Sequence, residues 1–433
     1  MSSREQWIGK ATFLFAAIGA AVGVGNLWRF PHIAYTYGGG AFLIPYLIAL
    51  LTAGIPLLIL EFGIGHYFKT SAPLSFNGIH KGFGWVGWWA SIIPLVGLSY
   101  YMVIMSWSIR YVWESLALSW KQDAQSFFFG NVLGITAGPS DLGGIVPLTL
   151  LAFIIGWVIT FAVVAKGVKG IGTVSTVATI VSFILLLIIM FRSITLHGAT
   201  SGLHYLFEPK FNQLLNPDVW LAAYGQVFWS LSLAMGVMIV YASYLPPKVN
   251  IVKNSFIIGF SDTLVAIIAG VAAFSVAGYL SSLAGVSVSE AVVSGPAMAF
   301  ITYPTALGLF PWGANLFAFV FFISFACFCL TSAVALLENS VAAIVDAWRV
   351  SRRVALAMAS IPAFLIGLLV FNRGGGLYWL DIIDHYGSSY GLVLIGLLEC
   401  VIVGYILGAD KLRGYINSIS GTSVGKWVDF CIK

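Results

Sequence analysis

Charged residues are scarce in this sequence, and so are cysteine and histidine. Asp, Glu, Lys and Arg make up 9% of the 433 residues, whereas hydrophobic residues make up 60% and the mean hydropathy is +0.96. A soluble globular domain carries roughly 25% charged and 45–50% apolar residues. The composition therefore excludes a soluble enzyme, a disordered regulator and a small secreted domain held by disulfides.

The few charged and sulfur-bearing side chains exclude further classes. The four cysteines lie in or beside apolar runs without the paired spacing of a metal site or a disulfide framework. The 21 Lys and Arg residues are scattered in ones and twos, so the net charge of +5 does not indicate a nucleic-acid partner. Basic residues scattered in this way are more typical of the loops that set the orientation of membrane spans.

Long apolar runs recur along the whole chain. A membrane-crossing helix needs about 20 mostly apolar residues, and ten spans are predicted, at 10–36, 41–68, 86–118, 146–165, 168–192, 217–245, 253–282, 313–346, 354–372 and 377–408. With the N-terminus inside, 15 of the 21 basic residues fall on the cytoplasmic side. We therefore expect an all-α multi-pass protein of the cell inner (plasma) membrane, with a cytoplasmic N-terminus and no cleaved signal peptide.

The first and the sixth predicted spans contain interruptions. The first has Ala21-Val22-Gly23-Val24-Gly25-Asn26, and the sixth has the run from Ser230 to Gly236. Small residues also serve close helix packing, but interrupted helices in corresponding positions of two halves are typical of transporters built from inverted repeats. The predicted organisation is a cytoplasmic segment 1–9, a five-helix repeat 10–192, an extracellular loop 193–216, an inverted five-helix repeat 217–408 and a cytoplasmic tail 409–433.

The motifs resemble those of one family. The opening REQWIGKATFLFAAIGAAVGVGNLWRFPHIAYTYGGGAFLIPY is similar to that of the neurotransmitter:sodium symporters, in particular the bacterial amino-acid transporters of the leucine-transporter type. The resemblance continues through GQVFWSLSLAMG, LTSAVALLE and LDIIDHYG and covers the whole chain. It implies the 5+5 inverted-repeat fold with discontinuous helices 1 and 6.

Unwound helix segments supply free carbonyls for a cation and free amides for a carboxylate. The resemblance implies two Na⁺ sites and no organic cofactor. The first Na⁺ would be held by the Ala21 carbonyl, Asn26, Ser230, Asp262 and the substrate carboxylate. The second would be held by the carbonyls of Gly19, Val22 and Phe328 and the hydroxyls of Thr331 and Ser332, although Phe328-Cys329 replaces the small residues common in relatives.

Asp262 stands inside an apolar span, where a carboxylate costs at least about 2.5–3.5 kcal/mol and is by default functional. An acid at the inner edge of the seventh span is the alternative interpretation. By resemblance, chloride-dependent relatives lack an acid here, and the leucine-transporter type keeps a glutamate one turn later, where this chain has Ala266. If Asp262 supplies that charge, transport should not need chloride.

The resemblance also implies a substrate pocket. Gly23 occupies the position where monoamine transporters carry an aspartate, so the substrate should be an amino acid. Its carboxylate would meet the amides of Val24 and Gly25 and the Tyr101 hydroxyl, and Gly97 leaves room for a large aliphatic or aromatic side chain. The full predicted set is Ala21, Gly23, Val24, Gly25, Gly97, Tyr101, Trp229, Ser230, Ser232, Met235, Ser332 and Leu336.

Gates and a buried acid pair complete the expected site. Arg29 and Asp384 would form the outer gate, closed by Tyr101 and Trp229. On the inner side, Arg4 and Trp7 would latch onto Asp346, near Tyr244. Glu61 and Glu399 would brace the unwound backbone and share a proton or a water.

The expected function is sodium-coupled import of neutral hydrophobic L-amino acids by alternating access, with two Na⁺ per substrate. The alternatives are a sensor of the same fold that binds without concentrating its ligand, and a proton-coupled symporter using the acid pair. An enzyme is not expected, because the spans hold no HExxH motif and no Ser/His/Asp constellation. The expected partners are the substrate and the lipid bilayer, and a homo-oligomer is possible. The sequence leaves open whether the protein is a ten-helix core or a shortened chain that lacks an eleventh helix.

Overall fold

The computed structural model describes residues 4–288 and 295–433, and within these ranges the secondary structure is almost entirely helical. Eight helices are long and apolar enough to cross a membrane, and a ninth span consists of two helices bent by 49°. We number these nine spans together with one shorter broken helix, which is not among them, as elements α1 to α10 in chain order, and the shorter broken helix is α6.

The bounds agree with the predicted spans to within a few residues over most of the chain. They are α1 Lys10–Ala21 and Gly25–Thr36, α2 Gly40–Phe68, α3 Gly84–Glu114, α4 Pro147–Ala165, α5 Gly167–Ile194, α7 Ile251–Ala284, α8 Ala314–Trp348, α9 Arg352–Phe371 and α10 Gly376–Ser420. Element α6 comprises Pro217–Ser230 and Val237–Ser243. This order confirms an all-α polytopic membrane protein whose first and sixth elements are discontinuous.

The break in α1 follows from local chemistry. The first half ends at Ala21 and the next residue, Val22, is extended. The Gly23 amide, released from the helix, donates a 3.0 Å hydrogen bond to the Oδ1 atom of Asn26. A side-chain amide that satisfies a freed backbone group stabilises the break.

The break in α6 is longer and its backbone is strained. Ser232, Ala234 and Gly236 have φ angles of +52°, +61° and +67°, in the left-handed region that costs a non-glycine residue roughly 1–2 kcal/mol. The Ser232 hydroxyl donates to the Ala20 carbonyl at 2.9 Å, and the Ala234 amide donates to Glu61 at 2.8 Å. The two breaks therefore lie beside each other and share polar partners.

Neighbouring helices hold the broken elements in place. The first half of α1 packs on α5 and α8, and the second half of α6 packs along α2. At Gly65 of α2 the approach is so close that a Cβ atom would run into the Ile239 carbonyl group. The Asn339 amide of α8 donates to the Met235 carbonyl at 2.7 Å and to the Ala90 carbonyl of α3 at 3.1 Å.

The last crossing element changes direction before the chain ends. Gly408 has φ +93°, and the helix Ala409–Ser420 after it packs on α2, where Leu412 and Ile416 lie against Gly63. A short helix, Trp427–Ile432, follows, and Arg413 pairs with Asp429 at 2.8 Å. The predicted tail 409–433 is thus folded back onto the helices.

Candidate functional site

A cavity of about 490 Å³ lies where the two breaks meet. Elements α1, α3, α6, α8 and α10 contribute its walls. All twelve residues predicted for the substrate line it: Ala21, Gly23, Val24, Gly25, Gly97, Tyr101, Trp229, Ser230, Ser232, Met235, Ser332 and Leu336. The structure brings these side chains from four separate elements to one place.

The polar end of the cavity lies at the break in α1. The Tyr101 hydroxyl is buried and has no hydrogen-bond partner among the described residues. A Cβ atom at Gly23 would lie 3.2 Å from this hydroxyl and 2.9 Å from the Ser332 hydroxyl. A side chain at position 23 would therefore crowd the hydroxyls of Tyr101 and Ser332, whereas glycine does not.

Three buried polar side chains form the first candidate cation site. The Nδ2 atom of Asn26 donates to the Oδ1 atom of Asp262 at 2.8 Å and to the Ser230 hydroxyl at 3.1 Å. The Ser230 hydroxyl lies 2.8 Å from both carboxylate oxygens of Asp262. A carboxylate with a hydroxyl oxygen beside it supplies ligands for a hard cation. The Asn26 side chain presents its nitrogen to these oxygens while its Oδ1 accepts from the Gly23 amide, and Ala21 lies in the same cavity wall.

The second candidate cation site joins α1 to α8. The Ser332 hydroxyl lies 3.3 Å from the Phe328 carbonyl and 3.5 Å from the Gly19 carbonyl, and the Thr331 hydroxyl donates to Phe328 at 3.0 Å. Val22 is buried at the end of the first half of α1. Neutral hydroxyls and carbonyls are again oxygen ligands, so the donor chemistry fits Na⁺ in spite of the bulky Phe328 side chain.

The gate predicted around Arg4 is closed. The Arg4 guanidinium binds both carboxylate oxygens of Asp346, at 2.7 and 2.9 Å, and lies over the ring of Tyr244. The Ser71 amide donates to the same carboxylate at 2.7 Å. Trp7 does not contact Asp346 through its ring nitrogen, which donates instead to the Tyr241 carbonyl at 2.8 Å.

A second ion pair supports this side of the molecule. Glu338 of α8 is fully buried and pairs with Arg352, and it accepts a 2.7 Å hydrogen bond from the Tyr244 hydroxyl. Glu338 is the last residue of the LTSAVALLE motif, and no role was predicted for it. The signal was present, because an ionisable residue inside an apolar span is a candidate for function by default.

The gate predicted around Arg29 and Asp384 is open. Within residues 4–288 and 295–433 no ion pair joins these two side chains. Arg29 lies over the Trp229 ring at 5.7 Å, and Asp384 accepts hydrogen bonds from Tyr100 at 2.7 Å and Ser388 at 2.8 Å. Among the described residues, the predicted ion pair is therefore formed on the Arg4 side and not formed on the Asp384 side.

The predicted acid pair lies behind the break in α6. Glu61 and Glu399 are both fully buried, and Glu61 accepts the hydrogen bond from the Ala234 amide. The carboxylate of Glu399 has no hydrogen-bond partner in the described part of the chain. Glu61 thus braces the unwound backbone directly, whereas the Glu399 carboxylate makes no hydrogen bond to this backbone within the described residues.

These features define a helical membrane transporter whose central cavity lies between two discontinuous helices. The family model described as the sodium:neurotransmitter symporter family matches residues 4–125 and 119–433. This chain therefore belongs to the sodium:neurotransmitter symporter family, which consists of transporters and not of enzymes.

Known relatives agree with this assignment. An uncharacterized sodium-dependent transporter of Methanocaldococcus jannaschii is 41% identical over 98% of this chain and 86% of its own length. The creatine transporter of Torpedo marmorata is 32% identical over 94% of this chain and 73% of its own length. The sodium- and chloride-dependent GABA transporter 2 of Bos taurus is 30% identical over 99% of this chain and 77% of its own length.

Proposed function

We propose that this protein imports neutral, apolar L-amino acids together with Na⁺ by alternating access. The observation that carries the proposal is the unpartnered Tyr101 hydroxyl beside Gly23, in a cavity whose other walls are mainly apolar. A substrate carboxylate would accept from Tyr101 and from the amides of Val24 and Gly25, and would complete the first Na⁺ site. GABA and creatine, named for two relatives, are also zwitterions that carry a carboxylate.

The orientation and the transport cycle follow from the two gates. With the N-terminus in the cytoplasm, the closed Arg4 side faces inward and the open Asp384 side faces outward. Substrate and Na⁺ would enter from outside, Arg29 and Asp384 would then pair above them, and the Arg4 latch would open below. The protein would act in the cell inner (plasma) membrane.

We propose two Na⁺ per substrate, one at each candidate site. Each Na⁺ that moves down 100 mV contributes about 2.3 kcal/mol. With equal sodium on both sides and a 100 mV potential alone, one Na⁺ supports roughly 50-fold accumulation and two support roughly 2,000-fold. The maximum accumulation ratio in proteoliposomes measures this stoichiometry.

We also propose that Asp262 replaces the chloride that the GABA transporter relative needs. Uptake of radiolabelled leucine, tryptophan and alanine is measured in proteoliposomes, with sodium or choline outside and chloride or gluconate as the anion. Wild type should take up leucine with sodium in gluconate. Asp262→Asn should lose this uptake or regain it only in chloride, whereas Asp218→Asn, at an exposed position, should behave as wild type.

Other outcomes distinguish the alternatives. Sodium-dependent binding without accumulation would indicate a sensor. Uptake that persists in choline and follows a pH gradient would indicate proton coupling through Glu61 and Glu399. Either result would refute sodium-coupled import.

A further inference from the structure

The cavity extends well beyond the twelve residues predicted for the substrate. An arm leads from Gly97 between α3 and α10, and its walls are Trp89, Ile92, Tyr390, Gly391 and Leu394. Tyr390 contributes the only hydroxyl group among these five side chains. We call this part of the cavity the apolar arm.

The apolar arm ends at the molecular surface. Ile92, Tyr390 and Leu394, which line it, are 51%, 62% and 42% exposed. Leu394 follows Asp384 by ten residues, about 15 Å along the helix at 1.5 Å per residue. The arm therefore reaches the surface of the described part of the molecule about three helical turns beyond Asp384.

Two glycines shape the entrance of the arm. A Cβ atom at Gly97 would make only an ordinary 3.5 Å contact with the Tyr100 hydroxyl, so packing does not require glycine there and its absence of a side chain leaves open space. A Cβ atom at Gly391 would lie 2.7 Å from the end of Ile93. The absence of a side chain at Gly391 therefore lets α10 approach α3, and the end of the Ile93 side chain of α3 packs against Gly391.

We propose that the apolar arm receives the side chain of α-amino acids that carry long, unbranched apolar chains. This inference rests on the proposed function, because the polar end of such a substrate would bind at the break in α1. The cavity volume of about 490 Å³ lies within the roughly 300–1,000 Å³ range of pockets for larger organic ligands. Since Ile92, Tyr390 and Leu394 line the arm and are exposed, a linear substrate side chain can lengthen until it reaches this part of the molecular surface.

The test is competition binding in nanodiscs with a series of linear amino acids, from alanine through norleucine to 2-aminooctanoic and 2-aminodecanoic acid. Burial of one methylene group corresponds to ~0.8 kcal/mol, so each added group should strengthen binding about fourfold. Affinity that stops rising after norleucine, as a closed pocket or a lipid chain seated in the arm would produce, overturns the proposal. The proposed function would survive that result.

Variants at the surface end of the apolar arm test whether the dependence of affinity on chain length arises there. Ile92→Trp narrows the arm, and the ratio of 2-aminodecanoic acid affinity to norleucine affinity should fall at least tenfold. Leu397→Trp, at an equally exposed position of α10 that does not line the cavity, should leave this ratio unchanged. An equal fall of the affinity ratio in both variants overturns the proposal that the apolar arm receives the substrate side chain. If no member of the series binds, both this proposal and the proposed function are refuted.

Discussion

The latch between Arg4 and Asp346 should control how often the Arg4 side opens. Asp346→Asn keeps the size of the side chain but removes the charge that binds Arg4 at 2.7 and 2.9 Å. The two side chains are only 20% and 12% exposed, so water replaces the interaction poorly. Hydrogen bonds to charged groups contribute about 1.5–3 kcal/mol, and asparagine retains part of this.

A loss of about 2 kcal/mol would shift the equilibrium toward the open conformation about 30-fold. Hydrogen–deuterium exchange of the amides in residues 4–21 in nanodiscs measures the shift, because opening breaks the 3.2 Å bond from the Trp7 amide to the Tyr244 carbonyl. The matched control is Asp410→Asn, which removes an exposed carboxylate without an ion-pair partner in the described part of the chain. Exchange in Asp346→Asn no faster than in this control would refute the latch.

Two further predictions concern pH and packing. Burial, with the nearby charge of Arg4, lowers the pKa of the Lys69 ammonium group to about 8. Since this pKa returns toward about 10.4 when the group is hydrated, the penalty on the closed state is complete below about pH 8 and is lost gradually as the pH rises from about 8 to about 10.4. The protection of residues 4–21, taken as the intrinsic base-catalysed exchange rate at each pH divided by the observed rate, should therefore increase between pH 7 and 9.5, and Lys69→Met should abolish this increase. Gly65→Ala, which forces a methyl group onto the Ile239 carbonyl, should destabilise the protein by about 1–3 kcal/mol. Gly225→Ala, with open space around the added atom, should not lower the melting temperature. Equal melting temperatures of the two variants would contradict the close approach at Gly65.

The spans and their interruptions were predictable because both depend on nearby residues. Apolar run length set the bounds, so that the predicted span 168–192 became Gly167–Ile194. The breaks were predictable because glycine, serine and asparagine lie where the helices end. The left-handed backbone at Ser232 and Ala234 was not predictable, since tertiary contacts and not residue type hold these two residues there.

The lining of the cavity was predictable as a set of residues, but the conformation of the residues around it was not. The resemblance named the residues that line the cavity, yet it could not tell which gate is closed, because a gate pairs the same side chains in only one state of the cycle. The pairing of Tyr100 with Asp384 and of Arg352 with Glu338 depends on the relative positions of whole helices. Apolar patterning within one helix carries no information about them.

The contact between Asn26 and Asp262 has a consequence for biosynthesis. These residues are 236 positions apart in the chain, and at 5–20 residues per second the ribosome needs roughly 10–50 s to travel from one to the other. During that interval the break in α1 lies in the membrane without the partners that later surround it. The contact can therefore form only after element α7 has been inserted, so its formation reports on late assembly of the nascent protein.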